Sequence, residues 1–541
     1  MKLAPWIDEW TAEQIGLISW TDQMRPQSVY GQICRRDKGP FLPGDESDWH
    51  VERRDIEQVS QALTQDEERA RRLWAQFQGA PDISDSVQLL QRSLTLSLEQ
   101  VAALKRFAKL QDAITRWLFE QQVTLSFWHV AQVDAVLTAC GQPESAAFSL
   151  QDLDDRPLRE AQAVLQPLRA ALQAERQAFV RALGQLYLTP LRRDQTLILS
   201  VDASQLATAR QDPRLQVRME TPWEVVFDPV WPEALLALSA QEELAQAQVA
   251  EAEQEALRHL SAQLRAYAAK IAQWPVAFGR FDEISARALF ALNHASRWTT
   301  HRHVVSLGHA VHPAVERPTP IDLHLARPVT VLVGPNMGGK TVAQKTVLLL
   351  QACHQLGFPI PAVEGTTYEA PLFRSVRYVG GDTQSITSGL SSFGAEMVSL
   401  QLALTCTQVL MCLDELGRTT NPQEGQALVE AVLAHLKSRT DVIALVATHF
   451  PIRTSGCGYV RVSGLREDRE QWPQGLSLEE RLAWLRRAMD YRLIACLPWE
   501  TSQVGLQIAG WLGLEPAIVN HAQTLLAHGS ESGDCMSEGT E

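Results

Sequence analysis

The junction at residues 329–341 constrains this chain more than any other feature. Val329-Thr-Val-Leu-Val333 is a short apolar run of the kind that fills a buried parallel strand. It passes without a spacer into Gly334-Pro-Asn-Met-Gly-Gly-Lys-Thr341, which satisfies G-x-x-x-x-G-K-[ST]. Strand, glycine loop and helix start, in that order, make a phosphate cradle. The glycines let backbone N–H groups turn inward, and the positive end of the following helix points at the same place. The pattern assigns ATP binding to Gly334, Pro335, Asn336, Met337, Gly338, Gly339, Lys340 and Thr341. Lys340 is expected to reach the β and γ phosphates, and Thr341 to set its hydroxyl on Mg²⁺.

A second apolar strand pattern, Val409-Leu-Met-Cys-Leu413, ends in Asp414-Glu415, the Walker B form. Asp414 is expected to hold Mg²⁺, and Glu415 to orient or deprotonate the attacking water. Val442-Ile-Ala-Leu-Val446 is a third such strand and delivers Ala447-Thr-His449 to the edge of the sheet where ligands of open α/β folds collect. His449 is expected to hydrogen-bond the γ-phosphate or the water. Together these predict a C-terminal α/β P-loop domain that hydrolyses ATP with Mg²⁺.

The rest of the chain narrows the setting. At 541 residues it is too long for one core, and 45% hydrophobic with 21% charged residues is globular composition. The first twenty residues contain Asp8, Glu9 and Glu13 and no apolar core, and no run of about twenty apolar residues occurs. A cytoplasmic protein without membrane spans is expected. Eight cysteines are scattered with no C-x-x-C pair, so reduced thiols are expected rather than zinc. A net charge of −14 disfavours DNA as a partner, because sequence-independent DNA binding runs on Lys and Arg. Local basic pairs, Arg35-Arg36 and Arg192-Arg193, keep DNA as the second reading.

Residues 1–50 read as an N-terminal segment and residues 51–300 as a mostly helical core or lever domain, with apolar residues at three and four spacing. Within it, residues 196–230 carry strand patterns and form a small β-rich insertion. Residues 232–274 read as one helix, about 65 Å long at a rise of about 1.5 Å per residue. Leu257, Leu260, Leu264, Tyr267 and Ile271 make a seam along its second half. The ATPase domain is expected over residues 301–527, and residues 528–541 as a disordered acidic tail.

The P-loop with its Pro-Asn-Met, then Gly389-Leu-Ser-Ser-Phe-Gly-Ala-Glu-Met397, Leu413-Asp-Glu-Leu-Gly-Arg-Thr-Thr420 and Ala447-Thr-His-Phe450, resemble in order the P-loop, signature loop, Walker B and switch histidine of the MutS family. Residues 502–526 are similar to that family's closing helices, which implies a dimer, either a homodimer or a MutS-like heterodimer. The resemblance implies an ABC-type arrangement in which the signature loop of one subunit completes the site of the other, with Ser391 as the trans-acting serine. Mismatch-sensing members begin with a DNA-reading domain carrying a Phe-x-Glu wedge. No such Phe-x-Glu is expected anywhere in this chain, and about 330 residues before the P-loop are expected to be too few for the full set of upstream domains. The nuclease domain of the second MutS group is not expected in the tail.

Three shorter stretches point elsewhere. Asp414-Glu-Leu-Gly-Arg-Thr-Thr-Asn-Pro-Gln-Glu-Gly425, Tyr378-Val-Gly-Gly-Asp-Thr-Gln-Ser-Ile386 and Phe41-Leu-Pro-Gly-Asp45 resemble the MutS-like ATPase of the lysine 5,6-aminomutase reactivase. That resemblance implies a motor remodelling a cobalamin enzyme as its client, and it stands as the first reading, with mismatched or branched DNA as the alternative. A Ser391→Ala chain is expected to bind ATP nearly normally and to fail in hydrolysis. Equal steady-state hydrolysis rates for the two proteins would remove the trans-acting serine.

Overall fold

The computed structural model describes residues 1–335, 338–380, 392–452, 454–465, 477–498 and 505–531. The chain divides into two compact units, one of residues Met1–Gln78, Leu118–His129 and Val276–Glu541, the other of Gly79–Trp117 and Val130–Pro275. The expected mixture of a helical N-terminal part and an α/β C-terminal region is present.

In the second unit two long helices, Arg156–Leu186 and Glu233–Arg265, lie side by side. Their pairing is antiparallel: Arg169 meets Glu242 at 2.7 Å and Arg176 meets Ser239 at 3.3 Å, so residue numbers fall on one as they rise on the other. Leu158, Leu165, Ala245, Val249 and Ala256 fill the seam. Between the two helices in sequence is a three-stranded antiparallel sheet of Leu197–Ser200, Leu215–Glu220 and Glu224–Pro229, with the last in the middle. Its alternating residues Leu197, Leu199, Val225 and Phe227 pack on Leu183 and Tyr187.

The second long helix is shorter than its periodicity predicts. It ends at Arg265, a short turn of helix follows at Ala268–Ile271, and a new helix begins at Trp274 with Pro275 in its first turn. At the break the N–H groups of Ala266 and Tyr267 bond three residues back, to Gln263 and Leu264. The seam nevertheless continues, with Leu260, Leu264 and Ile271 all buried. Periodicity reports which side is buried and does not see the break.

In the first unit the main sheet has six strands in the order Met489–Ala495, Gly458–Leu465, Val329–Val333, Val442–Thr448, Val409–Asp414, Ser375–Val379. All neighbours are parallel except the Met489–Ala495 edge. The helix Lys340–Leu356 is buried almost throughout, and one side of the sheet packs on it. Gln344 locks helix to sheet, since its side-chain amide donates to the Leu413 carbonyl at 2.8 Å and to the Leu445 carbonyl at 2.9 Å. A second sheet of four strands contains Thr300–His301, Val305–Ala310, Ile321–Leu325 and Thr367–Ala370.

The first residues of the chain belong to the same core. Trp6, Ile7, Ile15, Leu17 and Trp20 are buried with Val347 and Leu348 of the P-loop helix. The far end of that helix is held by buried charges. Arg287 donates to the Gly357 carbonyl and to Glu52 at 2.9 Å, and also pairs with Glu283, while Lys38 reaches Glu52 at 2.6 Å. Burial works to raise the Glu52 pKa, but Lys38 and Arg287 overcome it and hold the carboxyl at about 2.

Several sequence features find structural uses here. Arg35 donates to the carbonyls of Thr21 and Met24 and lies over the Phe358 ring, so it is committed inside the protein and is no phosphate contact. The Phe-x-Glu spelling does occur at Phe281-Asp-Glu283, but inside the helix Trp274–Asn293, with Phe281 and Glu283 buried, so it forms no exposed wedge. Among the described residues no helix is long and apolar enough to cross a membrane. Removing one partner of a buried ion cluster leaves the others uncompensated, so Arg287→Met is expected to cost about 3–5 kcal/mol in chemical denaturation. Glu52 is depressed from its ordinary value, so its contribution is full above about pH 4.5 and fades as pH falls toward 2.

Candidate nucleotide site

Parallel register gathers the sequence motifs at one edge of the main sheet. Val333 is paired with Thr448, and Ala447 with Asp414, so the ends of three neighbouring strands are level. Each strand is apolar along its length because both faces are covered, and chemistry begins only where the strands stop.

From the first strand the chain turns through the glycine loop. Gly339 caps the helix with a φ of +83°, a conformation that suits glycine, and a Cβ there would stand 3.1 Å from the Tyr491 ring. Lys340 is buried and its ammonium donates to the carbonyls of Gly334 at 2.9 Å and Pro335 at 3.2 Å. The same nitrogen lies 3.3 Å from Glu415 Oε1. Thr341 Oγ1 donates to Asp414 Oδ2 at 2.6 Å. Lys340 thus meets Gly334, Pro335 and Glu415, and its neighbour Thr341 meets Asp414. Asn336, Met337 and Ser391 lie outside the described residues, as does the start of the signature loop.

Asp414 Oδ1 is buried and accepts no hydrogen bond from the described residues. A buried carboxylate oxygen with nothing on it, next to a threonine hydroxyl, is an arrangement of hard oxygens that fits Mg²⁺. Among the described residues no cluster of three or more His, Cys, Asp or Glu side chains could hold a metal alone. An ion at Thr341 and Asp414 would leave positions open to phosphate and water, as Mg²⁺ commonly takes.

Glu415 adopts a φ of +51°, unusual for a residue with a side chain, and its N–H donates to the Ala447 carbonyl at 3.0 Å. This turns its carboxylate toward Lys340, while Arg418 approaches the other oxygen at 3.6 Å. Desolvation lowers the His449 pKa, the Glu415 charge opposing it, so the ring is neutral at neutral pH. His449 packs against Phe450 with ring centroids 4.2 Å apart.

Three supporting residues carried no sequence signal of their role. Tyr378 is buried, and its hydroxyl donates to Asp414 Oδ2 at 2.8 Å. Burial, reinforced by the Asp414 charge, pushes that phenol well above its usual range, so it stays protonated. Gly380 passes so close to Asp414 that a Cβ would lie 2.5 Å from the Asp414 Cβ. Glu396 accepts the Gly417 N–H at 2.9 Å and ties the helix Ser392–Thr405 to the loop after Asp414. Tyr378 and Gly380 lie in a stretch that stood out in the sequence, but only the fold brings them to Asp414.

Residues 330–463 match the family model for MutS domain V. The chain is similar to Endonuclease MutS2 of Streptococcus gordonii, 33% identical over 273 residues, covering 49% of this chain and 33% of that protein. Endonuclease MutS2 of Streptococcus equi subsp. equi is 28% identical over 473 residues, covering 83% and 57%. Endonuclease MutS2 of Caldicellulosiruptor bescii is 31% identical over 280 residues, covering 50% and 33%. The chain thus spans between a third and somewhat over half of the length of these relatives. The matches support a MutS-family protein.

They do not support the aminomutase-reactivase resemblance or a cobalamin enzyme as client. Two of the three stretches behind that resemblance fall within the MutS domain V match, and residues in them serve the fold. Asn421 caps the helix Pro422–Lys437, and Gly425 is needed because a Cβ would stand 2.7 Å from the Phe450 ring. In the third stretch, Phe41 exchanges backbone and side-chain hydrogen bonds with Gln355, and Asp45 closes a turn onto the Leu42 N–H. Gly380→Ala is expected to push Asp414 aside and to cost about 1–3 kcal/mol through overpacking, read as a lowered thermal midpoint.

Proposed function

We propose that this chain binds and hydrolyses ATP with Mg²⁺ in a MutS-type site, and that the cycle is coupled to mismatched or branched DNA. The observation that carries the ATPase reading is the meeting of Lys340, Thr341, Asp414 and Glu415 at one sheet edge. The relatives' name, Endonuclease MutS2, supports DNA as the partner over a cobalamin enzyme.

The chain's own residues divide the work. Lys340 exchanges the Gly334 and Pro335 carbonyls for the β and γ phosphates and neutralises charge there. Its departure from Glu415 frees that carboxylate to orient the attacking water and accept its proton. The water oxygen bonds to the γ phosphorus as the bond to the β–γ bridging oxygen breaks, leaving ADP and phosphate. The Thr341 hydroxyl and Asp414 would hold Mg²⁺, which would supply charge stabilisation to the phosphates. Neutral His449 donates a hydrogen bond to the γ-phosphate or the water, and Ser391 of a second subunit completes the site.

DNA coupling is a property of the whole assembly. Three arginines in and beside the small sheet are partly committed, Arg210 to Glu220, Arg214 to Asp212 and Arg218 to Asp228. With a net charge of −14, binding should therefore be modest, and weakened by salt in proportion to the few phosphates contacted. Hydrolysis measured with and without duplex, mismatched and branched DNA across a salt series tests both parts. Glu415→Gln is expected to retain ATP binding and lose roughly 10²-fold or more in rate, as removal of a general base does. A Lys340→Ala chain as active as the original would end the ATPase reading. If no DNA changes the rate or binds below micromolar at moderate salt, the coupling to DNA fails.

A further inference from the structure

We propose that Tyr378 is a positioning residue for the Mg²⁺ carboxylate, seated by the N-terminal segment of the chain; this rests on the nucleotide site proposed above.

Asp414 Oδ2 receives two hydroxyl donors. Thr341 comes from the start of the helix Lys340–Leu356 at 2.6 Å, and Tyr378 from the edge strand Ser375–Val379 at 2.8 Å. Both donors hold the same oxygen and leave Oδ1 bare. They differ in duty, because the Thr341 oxygen is itself called to the metal. Among the described residues, Tyr378 is the remaining side-chain donor that holds Asp414 once the ion arrives. Outer partners of this kind orient a metal-binding carboxylate without touching the metal.

The tyrosine is itself positioned. Trp10 stacks on its ring, with centroids 5.5 Å apart and planes 22° from parallel. Lys345 lies over the ring at 5.5 Å. The Tyr378 N–H donates to Thr11 Oγ1 at 3.3 Å, and Thr11 is in turn fixed by Asp8, which caps its helix. The two residues just before the tyrosine in its strand are bound by the same segment. The Val376 N–H donates to the Trp6 carbonyl at 3.0 Å, and Arg377 reaches the carbonyls of Trp6 at 2.7 Å and Pro5 at 2.9 Å. The edge of the sheet is thus covered by the first residues of the chain. Asp8, Trp10 and Thr11 reach the metal carboxylate through one phenol.

Tyr378→Phe keeps the ring and removes only the donor. Binding of a fluorescent ADP analogue, followed in EDTA and across a Mg²⁺ series, reads the effect apart from turnover. The original chain should bind in EDTA and tighten with Mg²⁺. The variant should bind equally in EDTA but need about 10-fold more Mg²⁺ for half of that tightening. An unchanged Mg²⁺ midpoint overturns the assignment. A variant that loses affinity equally in EDTA also overturns it, since the phenol then serves the fold rather than the metal. If the original chain binds no nucleotide in either condition, the nucleotide site itself falls and this role with it.

Discussion

The hydrogen bond from Thr341 to Asp414 joins two parts of the chain 73 residues apart, and the candidate site depends on it. One end is the first turn of the P-loop helix, the other the last residue of the strand Val409–Asp414. Their approach is set by parallel strand register, and Gln344 fixes it one turn further along by bonding two strands at once. A shift of register by one residue would turn Asp414 to the opposite face of the sheet. The apolar strands are therefore as much a part of the site as the polar residues at their ends.

Within the site the polar groups satisfy one another. Lys340 rests on loop carbonyls and on Glu415, Thr341 rests on Asp414, and Tyr378 shares that carboxylate. Buried polar groups must be paired, and these are paired in a way that phosphate oxygens and a divalent ion would replace bond for bond. Asp414 Oδ1 is the exception, and its position beside the threonine is what makes it informative. The opposite end of the same helix is clamped by Arg287, Glu52 and Lys38, so the P-loop helix is held at both ends by charges.

Contiguous features were legible in the sequence. The strand Val329–Val333, the helix that starts at Lys340 and the strand that ends at Asp414 are each encoded by contiguous residues, and local backbone chemistry suffices to read them. What was not legible depends on distance along the chain. Tyr378 meets Asp414 across 36 residues and Trp10 across 368, and nothing in local spacing announces either contact. The helix break after Arg265 was hidden because burial periodicity runs through it. The reactivase resemblance finds no support for a related reason: Asn421, Gly425 and Phe41 are fixed by a cap, a close approach and hydrogen bonds to Gln355, none of which specifies a client.

A crystal structure of the chain with ADP and Mg²⁺ tests the central claim most directly. It should show the Lys340 ammonium moved from the Gly334 and Pro335 carbonyls onto phosphate, with the ion beside Thr341 Oγ1 and the Asp414 carboxylate. Nucleotide bound elsewhere, or an ion held away from Thr341 and Asp414, would contradict it.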